Sequence, residues 1–383
     1  MKLLTTLPKL ATISLSGIAL MMGTVACSKT QYQNQTYTAT AVAAQYTKPK
    51  IDILIVQDNS SSMLVPKASL QSQLAGFIAG LNGNWDYHFT VLPLQGTMSI
   101  NSKWVIAEDC STMASYNQQY CIPASNASAF NANPTGNAGW INTLNAATAA
   151  TDLGFQNMAA NLSDSSMTSS GFLRPDAALA VIALSNGDDV TGINFPSDYT
   201  YLNGQNGQQI PNLSSANAVS SFNSFENFIK NLKGSSSLVK FYSVVAQTYH
   251  IASQDCNGQY AWPGTRYSNL SAALNSATYD ICSGGLSNVL SDISTQLQSL
   301  IQAYKFNYAV LNGNPIVSSI TVTKNGVTVP QDNTNGWSYV GYTTEYLSYF
   351  PANTNQSTGY MIKFNGTSVY SGSDVIAINF EKQ

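Results

Sequence analysis

The segment Ile51–Met63, which reads IDILIVQDNSSSM, decides how this chain folds. Its first part is a run of apolar, mostly β-branched residues, which is typical of a strand buried on both faces of a sheet. Asp58, Ser60 and Ser62 follow directly, at every second position. Ligands of open α/β sheets bind at the carboxyl ends of the strands. The segment therefore predicts an α/β domain with an oxygen-rich site at the end of its first strand.

The acid and the two hydroxyls resemble the signature of a known family. The sequence DNSSS at residues 58–62 resembles the DxSxS motif of the von Willebrand factor A (VWA) domain, the first part of that family's metal-ion-dependent adhesion site. The strand before it and Met63 after it also fit. The resemblance implies a Rossmann-like, doubly wound α/β fold with a mostly parallel central sheet. The alternative is a polar turn after a core strand, because short motifs also match by chance.

The resemblance also implies a metal ligand from the middle of the chain. Thr151 precedes a helical segment and matches the threonine that the family uses as a further ligand, and Thr148 is its rival. A threonine at this place is also a typical N-cap of a helix. The two roles are compatible, since one hydroxyl can both cap a helix and coordinate an ion.

A second strand pattern, AALAVIAL at residues 177–184, leads to the last part of the site. The family has an aspartate where this chain has Asn186. An amide oxygen still accepts a hydrogen bond from a metal-bound water, but one negative charge is lost, and this weakens the hold on a cation. Asp188 and Asp189 are candidates to restore that charge. The alternative is that both are solvated acids of a turn.

The ion and partner follow from the same resemblance. It implies Mg²⁺, with Mn²⁺ or Ca²⁺ as alternatives, bound directly by Ser60, Ser62 and Thr151. Asp58 and Asn186 would hold the ion largely through waters. Oxygen ligands suit such hard cations. Because the hydroxyls are neutral, the ion keeps most of its charge and can accept an Asp or Glu carboxylate from a protein partner.

The N-terminus has the features of an export signal. Positive charges flank an apolar region over residues 10–25, which predicts a signal peptide at residues 1–26. The sequence VACS at residues 25–28 resembles the cleavage box of bacterial lipoproteins, with Thr24 where that box usually has leucine. Cys27 would then carry the lipid, and the protein would be an outer-membrane lipoprotein of the cell envelope, periplasmic or surface-exposed. An ordinary cleaved signal is the alternative.

The other four cysteines suggest disulfide bonds. They are Cys110, Cys121, Cys256 and Cys282. An even number in an exported chain is typical of a disulfide framework, and three pairings exist. We favour the two that close local loops, Cys110–Cys121 and Cys256–Cys282.

Composition excludes some classes of function. Charged residues make up 9% of the 383 residues and the net charge is -3, so there is no electrostatic basis for binding nucleic acid. The sequence holds no HExxH motif, no phosphate-binding loop and no Ser-His-Asp order. We therefore assign no catalytic residue and expect a binding protein rather than an enzyme.

Periodicity divides the chain into four regions. Residues 1–26 are the signal peptide, and residues 27–47 form a polar, flexible tether. Residues 48–304 alternate strand and helix patterns, which predicts the α/β domain. From residue 305 the helical period disappears. An Asn-Gly turn at residues 325–326 and several short strand patterns predict a hairpin within a small all-β, sandwich-like domain over residues 305–383.

Two functions follow as hypotheses. The first is an envelope-anchored VWA lipoprotein that binds a protein partner through its metal site, in adhesion or envelope assembly. The second is a structural or carbohydrate-binding lipoprotein with a vestigial metal site, which Asn186 favours. Aromatic residues of the C-terminal region can stack on sugars, although such residues more often pack in cores. They are Trp337, Tyr339, Tyr342, Tyr346, Tyr349 and Phe350.

Overall fold

The computed structural model describes most of the chain from residue 49 onward. The described residues are 49–63, 72–74, 76–81, 85–94, 104–106, 121–123, 152–201, 209–250, 256, 261–283, 286–350, 352, 355–372 and 374–383. They lie in one compact unit. The signal peptide, Cys27, the tether, Cys110, Thr148 and Thr151 fall outside these residues, so the expectations about them stay predictions.

A mostly parallel sheet forms the centre of the α/β region. Among the described residues it has seven strands, which lie side by side in the order β4 (Cys121–Pro123), β3 (Trp104–Ile106), β2 (Asp86–Pro93), β1 (Lys50–Gln57), β5 (Ala178–Ser185), β8 (Val239–Val245) and β9 (Thr278–Asp280). Five neighbouring strands of this sheet run parallel to one another, namely β2, β1, β5, β8 and β9. Strand β3 runs antiparallel to β2 and parallel to β4. A separate pair is formed by β6 (Tyr199–Tyr201) and β7 (Gln209–Pro211).

The buried strand patterns explain this arrangement. Successive side chains of a strand point to opposite faces. In β1, Ile51, Ile53 and Ile55 enter the apolar cluster on one face, whereas Leu54 and Val56 enter the cluster on the other. All eight residues of β5 are buried. A sheet that is covered on both faces needs strands of this kind, so both strand predictions are confirmed.

Helices cover both faces of the sheet. They are α1 (Gly154–Ser163), α2 (Ser165–Ser169), α3 (Ala216–Asn231), α4 (Thr265–Ala273) and α5 (Leu286–Gln302), and residues 72–74 and 76–80 are also helical. Apolar side chains of α1, α3 and α4 share the cluster of Leu54 and Val56. Those of α5 and of residues 74–78 share the cluster of Ile53. An α/β layer arrangement with helices on both faces is therefore present. No helix within the described ranges is long and apolar enough to cross a membrane.

The C-terminal region is all-β. Its strands are β10 (Lys305–Phe306), β11 (Tyr308–Leu311), β12 (Thr321–Lys324), β13 (Val327–Val329), β14 (Trp337–Tyr346), β15 (Ser348–Phe350), β16 (Gln356–Phe364), β17 (Tyr370–Ser371) and β18 (Ile376–Asn379). They form three antiparallel sheets of three strands, in the orders β15-β10-β17, β11-β16-β14 and β13-β12-β18.

The predicted hairpin is confirmed at β12 and β13. Asn325 and Gly326 have φ values of 52° and 79°, the positive values that a type I′ turn requires. Strand β14 pairs with β16 from Trp337 to Tyr346, and a bulge between Tyr339 and Gly341 interrupts the register of this pairing.

The two regions share one apolar cluster. It contains side chains of α5, such as Ile293 and Leu297, together with Leu311, Met361 and Ile362 of the C-terminal strands. Polar contacts add to this junction. The N–H of Lys50 donates to Asn355 Oδ1 at 3.1 Å, and the N–H of Asn355 donates to the Asp176 carbonyl at 3.1 Å. The domain boundary at residue 305 remains a prediction.

One predicted disulfide is confirmed. Cys256 and Cys282 are bonded, with their Cα atoms 4.5 Å apart. Cys121 begins β4, but its side chain is outside the description, as is Cys110. The pairing of those two cysteines therefore stays a prediction.

Candidate functional site

The site lies where the order of the strands reverses. Strand β1 lies between β2 and β5. The chain passes from β1 to β2 on one side of β1, and later forms β5 on the other side. In open α/β sheets such a switch point is the usual position of the ligand crevice, between the loops that follow the two neighbouring strands. Asp58 begins the first loop, and its N–H donates to the carbonyl of Leu184 in β5 at 2.8 Å.

Three of the predicted site residues bring their side-chain oxygens together in this crevice. The hydroxyl oxygens of Ser60 and Ser62 are 2.9 Å apart. The Ser62 hydroxyl donates to Oδ1 of Asn186 at 3.2 Å. Loops from two separate strands thus meet at one cluster of oxygens, although the two segments are more than a hundred residues apart in sequence.

Local chemistry holds the first loop in this shape. The N–H of Ser60 donates to Asp58 Oδ1 at 2.8 Å, a turn that Asp side chains favour. A short 3-10 turn at Ser61–Met63 follows. Met63 is fully buried and anchors the far end of the loop in the core. The loop is therefore fastened at both ends, with its serines between them.

Asp58 is held by a residue that the motif did not indicate. Its Oδ2 accepts a hydrogen bond from the hydroxyl of Ser185 at 2.9 Å, and the Ser185 oxygen accepts from the N–H of Gly187 at 3.1 Å. Asp58 is almost fully buried. Ser185 is the last residue of β5, directly before Asn186, and this position is the one signal in the sequence that could have identified it.

A second residue missed by the motif is Asp152. A Cβ atom on Gly187 would lie 2.8 Å from Asp152 Oδ2 and 3.9 Å from Ser185 Oγ. The backbone carbonyl of Asp152 accepts from the N–H of Val190 at 2.8 Å. The segment before α1 is therefore fastened to the loop after β5, and the Asp152 carboxylate lies against that loop. Its position next to Thr151 was the available signal.

Asp189 serves the packing of helices around the site. Its carboxylate forms an ion pair with Arg266 at 2.6 Å. It also accepts from the N–H of Phe155 at 2.8 Å and from the hydroxyl of Thr191 at 2.7 Å. Since Phe155 is in the first turn of α1 and Arg266 is in the first turn of α4, Asp189 joins both helices to the end of β5.

Asp188 is also buried, so neither acid is the solvated turn residue considered above. Its Oδ1 accepts from the N–H groups of Arg266 at 2.9 Å and Asp189 at 3.0 Å. Burial raises the pKa of Asp188 to about 8, although the hydrogen bond from the Arg266 N–H opposes this rise. Whether Asp188 or Asp189 contributes to a metal site stays a prediction.

The donor set has the chemistry that a hard divalent cation requires. Asp58, Ser60, Ser62 and Asn186 present carboxylate, hydroxyl and amide oxygens within one hydrogen-bonded cluster. Such oxygens are the ligands of Mg²⁺ and Ca²⁺ in proteins. Within the described part of the chain, no group of three or more His, Cys, Asp or Glu side chains is arranged to hold a metal. The candidate site is therefore built mainly from neutral oxygens.

Comparisons with known proteins yield distant structural likenesses. No protein-family model and no curated protein matches this chain. The pilus adhesin SpaC from Lactobacillus rhamnosus GG aligns with a TM-score of 0.36 and 13% identity, over 88% of this chain and 39% of the adhesin. The human COPII-coat protein Sec24c aligns with a TM-score of 0.31 and 9% identity, over 88% of this chain and 40% of that protein.

A third structure aligns over nearly its whole length. BatB from Bacteroides thetaiotaomicron has a TM-score of 0.29 and 9% identity, over 66% of this chain and 98% of BatB. This chain spans well under half of the adhesin and of the coat protein. Similarities with TM-scores this low do not indicate a function. The strand pairing shows an α/β domain with a parallel central sheet, followed by an all-β region.

Proposed function

We propose that this chain is an envelope-anchored lipoprotein of the VWA type, which binds a protein partner through a divalent cation. The observation that carries the proposal is the meeting of the Ser60, Ser62 and Asn186 oxygens between the ends of β1 and β5. This is the place where open α/β sheets bind ligands, and the residues are those that the DxSxS resemblance singles out.

Each residue would have a distinct role. The hydroxyls of Ser60 and Ser62 bind the ion, with Thr151 as the expected third hydroxyl. Asp58 orients the first loop and Asn186 accepts from water at the ion. When bound, Mg²⁺, Mn²⁺ or Ca²⁺ supplies a positive charge with one position for an outside oxygen. An Asp or Glu of the partner then becomes a charge-assisted anchor of the interface.

The proposed location rests on the N-terminal sequence and on the disulfide. Cys27 would carry the lipid, and residues 27–47 would hold the folded region away from an outer membrane. The bond between Cys256 and Cys282 supports an oxidising compartment, because disulfides are rare where thiols are kept reduced. The proposed role is binding, in adhesion or envelope assembly, rather than catalysis.

The proposal is tested by titrating MgCl₂, MnCl₂ and CaCl₂ into the purified protein in a calorimeter. We expect saturable binding, and the Asp58→Ala variant should bind about 10- to 100-fold more weakly, since it loses the acid that orients the site. Asp164→Asn is the matched control, because Asp164 is an exposed acid that caps α2. If the wild-type protein binds none of the three ions, the metal-dependent function is wrong.

The partner chemistry needs a separate measurement. An array of immobilised peptides with Asp or Glu at varied positions should retain the wild-type protein in the presence of the ion and release it on addition of a chelator. Peptides with Asn or Gln at the same positions serve as controls. Retention that survives both the chelator and Asp58→Ala would show that the cluster is not the binding site.

A second candidate function, binding of a neutral carbohydrate, is favoured by one face of the sheet β11-β16-β14. Three cross-strand pairs share that face, namely Tyr342–Tyr360, Thr344–Thr358 and Tyr346–Gln356. Tyr342 is 67% exposed and its ring meets that of Tyr360 edge-on at 5.2 Å. The hydroxyls of Thr344 and Thr358 are 2.7 Å apart. Aromatic rings beside uncharged hydroxyls suit a sugar, whose rings are apolar on their faces and polar at their edges.

A glycan array distinguishes this function from the first. Wild-type protein should bind neutral glycans with or without a chelator, and Tyr342→Ala should abolish the signal. Tyr349→Ala is the control, because Tyr349 is similarly exposed but lies on β15. An unchanged signal from Tyr342→Ala would exclude this face.

A further inference from the structure

We infer that Asp152 supplies the negative charge that Asn186 leaves missing at the metal site. This inference rests on the proposed metal binding and assigns a residue that the DxSxS resemblance does not indicate. It is carried by the placement of the Asp152 carboxylate against Gly187, the residue that directly follows Asn186.

The first argument is the shape of the loop after β5. A Cβ on Gly187 would be 2.8 Å from Asp152 Oδ2, closer than side-chain carbons approach an oxygen. The same Cβ would be 3.9 Å from Ser185 Oγ, the atom that donates to Asp58. Glycine at residue 187 thus leaves room for the Asp152 carboxylate against the loop that follows Ser185 and Asn186. The space that a side chain would fill is occupied by an acid.

The second argument is the charge of the donor set. Asp58 is the single acid among the four clustered candidates, because Ser60, Ser62 and Asn186 are neutral. The affinity of oxygen sites for divalent cations rises with the number of charged ligands. One further carboxylate near the crevice would therefore strengthen the site, either as a direct ligand or through a water.

The third argument is that the neighbouring acids are already engaged elsewhere. Asp189 pairs with Arg266, and Asp188 accepts from the N–H of Arg266, so both carboxylates are directed to the first turn of α4. Asp152 comes from another segment, before α1, and approaches the loop at Gly187. Its side chain is half-buried beside that loop.

The fourth argument is that Asp152 is not the N-cap residue of α1. The N-cap of α1 is Leu153, and no side chain caps the helix from that position. The acceptor for the N–H of Phe155 in the first turn is Asp189. The first turn of α1 is thus hydrogen-bonded to a different carboxylate, that of Asp189. The dipole of α1 still favours a negative charge at residue 152.

Calorimetric titration with MgCl₂ and MnCl₂ tests the inference on the full chain. Asp152→Asn keeps the shape of the side chain and removes its charge, and we expect the dissociation constant for the metal to rise about 10- to 100-fold. Asp164→Asn, the control from α2, should leave it unchanged. The shift of the unfolding temperature on adding metal is a second readout and should shrink in parallel.

A charge exchange makes the test specific. In the double variant Asp152→Asn/Asn186→Asp, the lost charge returns from the position where the VWA family carries it, and metal affinity should recover. Gly187→Ala tests the position of the Asp152 carboxylate rather than its charge. It keeps the charge but places a methyl group where the Asp152 carboxylate lies, so it should also weaken binding. This variant guards against misfolding of Asp152→Asn.

The outcomes separate the inference from the function on which it rests. If the wild-type protein binds no metal, the proposed function fails and the inference fails with it. If the wild-type protein binds metal and Asp152→Asn binds it equally well, the role of Asp152 is wrong but the metal site stands. Weaker binding that Asn186→Asp does not restore would identify Asp152 as a positioning residue rather than a source of charge, and would also overturn the inference.

Discussion

At the scale of single residues, the buried polar side chains define the two ends of the central sheet. At the carboxyl end, Asp58 accepts hydrogen bonds from Ser60 and Ser185. At the amino end, Asp52 is fully buried and binds Arg174 Nε at 2.8 Å and Lys233 Nζ at 2.9 Å. Burial raises the pKa of Asp52, but Lys233 and Arg174 outweigh it and the pKa is lowered overall. This end of the sheet is therefore an ion-paired scaffold, and the other end is the candidate site.

His88 makes stability depend on pH. Burial, together with the charge of Arg174, lowers the pKa of His88 from 6.5 to about 4, although Asp52 and Asp86 oppose the shift. Between these two pKa values the unfolded chain binds a proton that the folded chain does not. Stability from this source is thus complete above the unfolded pKa and falls as the pH decreases towards about 4, by roughly 2 kcal/mol between about pH 7 and pH 5.

Urea unfolding at the two pH values measures this effect. His88→Asn should lack this contribution, so its stability relative to the wild type should rise by about 2 kcal/mol when the pH is lowered from about 7 to 5. The raised pKa of Asp188 acts in the opposite sense, but it is present in both proteins and cancels in this comparison. His250→Gln, which changes the other histidine of the chain, should keep the contribution of His88. Equal pH dependence in wild-type and His88→Asn protein would assign the effect to other groups.

At the scale of elements, Arg266 is the contact that joins three helices to the site. From α4 it pairs with Asp189 at 2.6 Å and donates to the carbonyl of Ala218 in α3 at 3.1 Å. Its guanidinium lies 5.1 Å from the centre of the Phe155 ring in α1. A buried ion pair is costly to break from one side, because the remaining charge stays buried without its partner.

Arg266→Met should therefore lower the free energy of unfolding by about 3 to 5 kcal/mol. Adding Asp189→Asn should restore part of this loss, because it removes the charge left unpaired. Denaturant unfolding of the two single variants and the double variant gives the coupling energy. Losses that simply add would show that the pair is not coupled.

At the scale of the whole molecule, the α/β region and the C-terminal strands share an apolar cluster. Ile293 and Leu297 of α5 belong to the same cluster as Met361 and Ile362 of β16. The backbone carbonyl of Ile301 lies 2.5 Å from where a Cβ on Gly372 would be, so the two regions touch closely there. The C-terminal strands thus contribute to the cover of one face of the central sheet.

A fragment of residues 48–304 should be markedly less stable than the same chain continued to residue 383. Each large apolar side chain that becomes exposed costs about 1.5 to 3 kcal/mol. Thermal unfolding of both proteins checks this expectation. If the shorter fragment unfolds cooperatively at the same temperature, residue 305 marks an independent domain, as the sequence predicts.

Several elements could be read from the sequence because their signals are local. The apolar run 51–56 and the run 177–184 predict buried strands, and Asn325-Gly326 predicts the hairpin that β12 and β13 form. Proximity of Cys256 and Cys282 in the sequence favoured the disulfide that is present. In each case the interactions that decide the structure lie within a few tens of residues.

Other features could not be read because their partners are distant in sequence. Asp188 and Asp189 have the pattern of a solvated turn, but α4 closes over them and supplies the N–H groups and the guanidinium that make their burial tolerable. The pairing of β14 with β16 includes a bulge, which the local pattern does not indicate.

The sequence by itself determined an α/β region with an oxygen-rich loop after its first strand, because strand periodicity and the polar residues that follow it are local properties. Only the tertiary structure decided which residues surround that loop. Parallel pairing of β1 with β5 brings Asn186 to Ser62, and Ser185 to Asp58. Packing of the α1 segment brings Asp152 to Gly187. These contacts join segments that have no local signal for each other, since they arise from the burial of the sheet between two layers of helices.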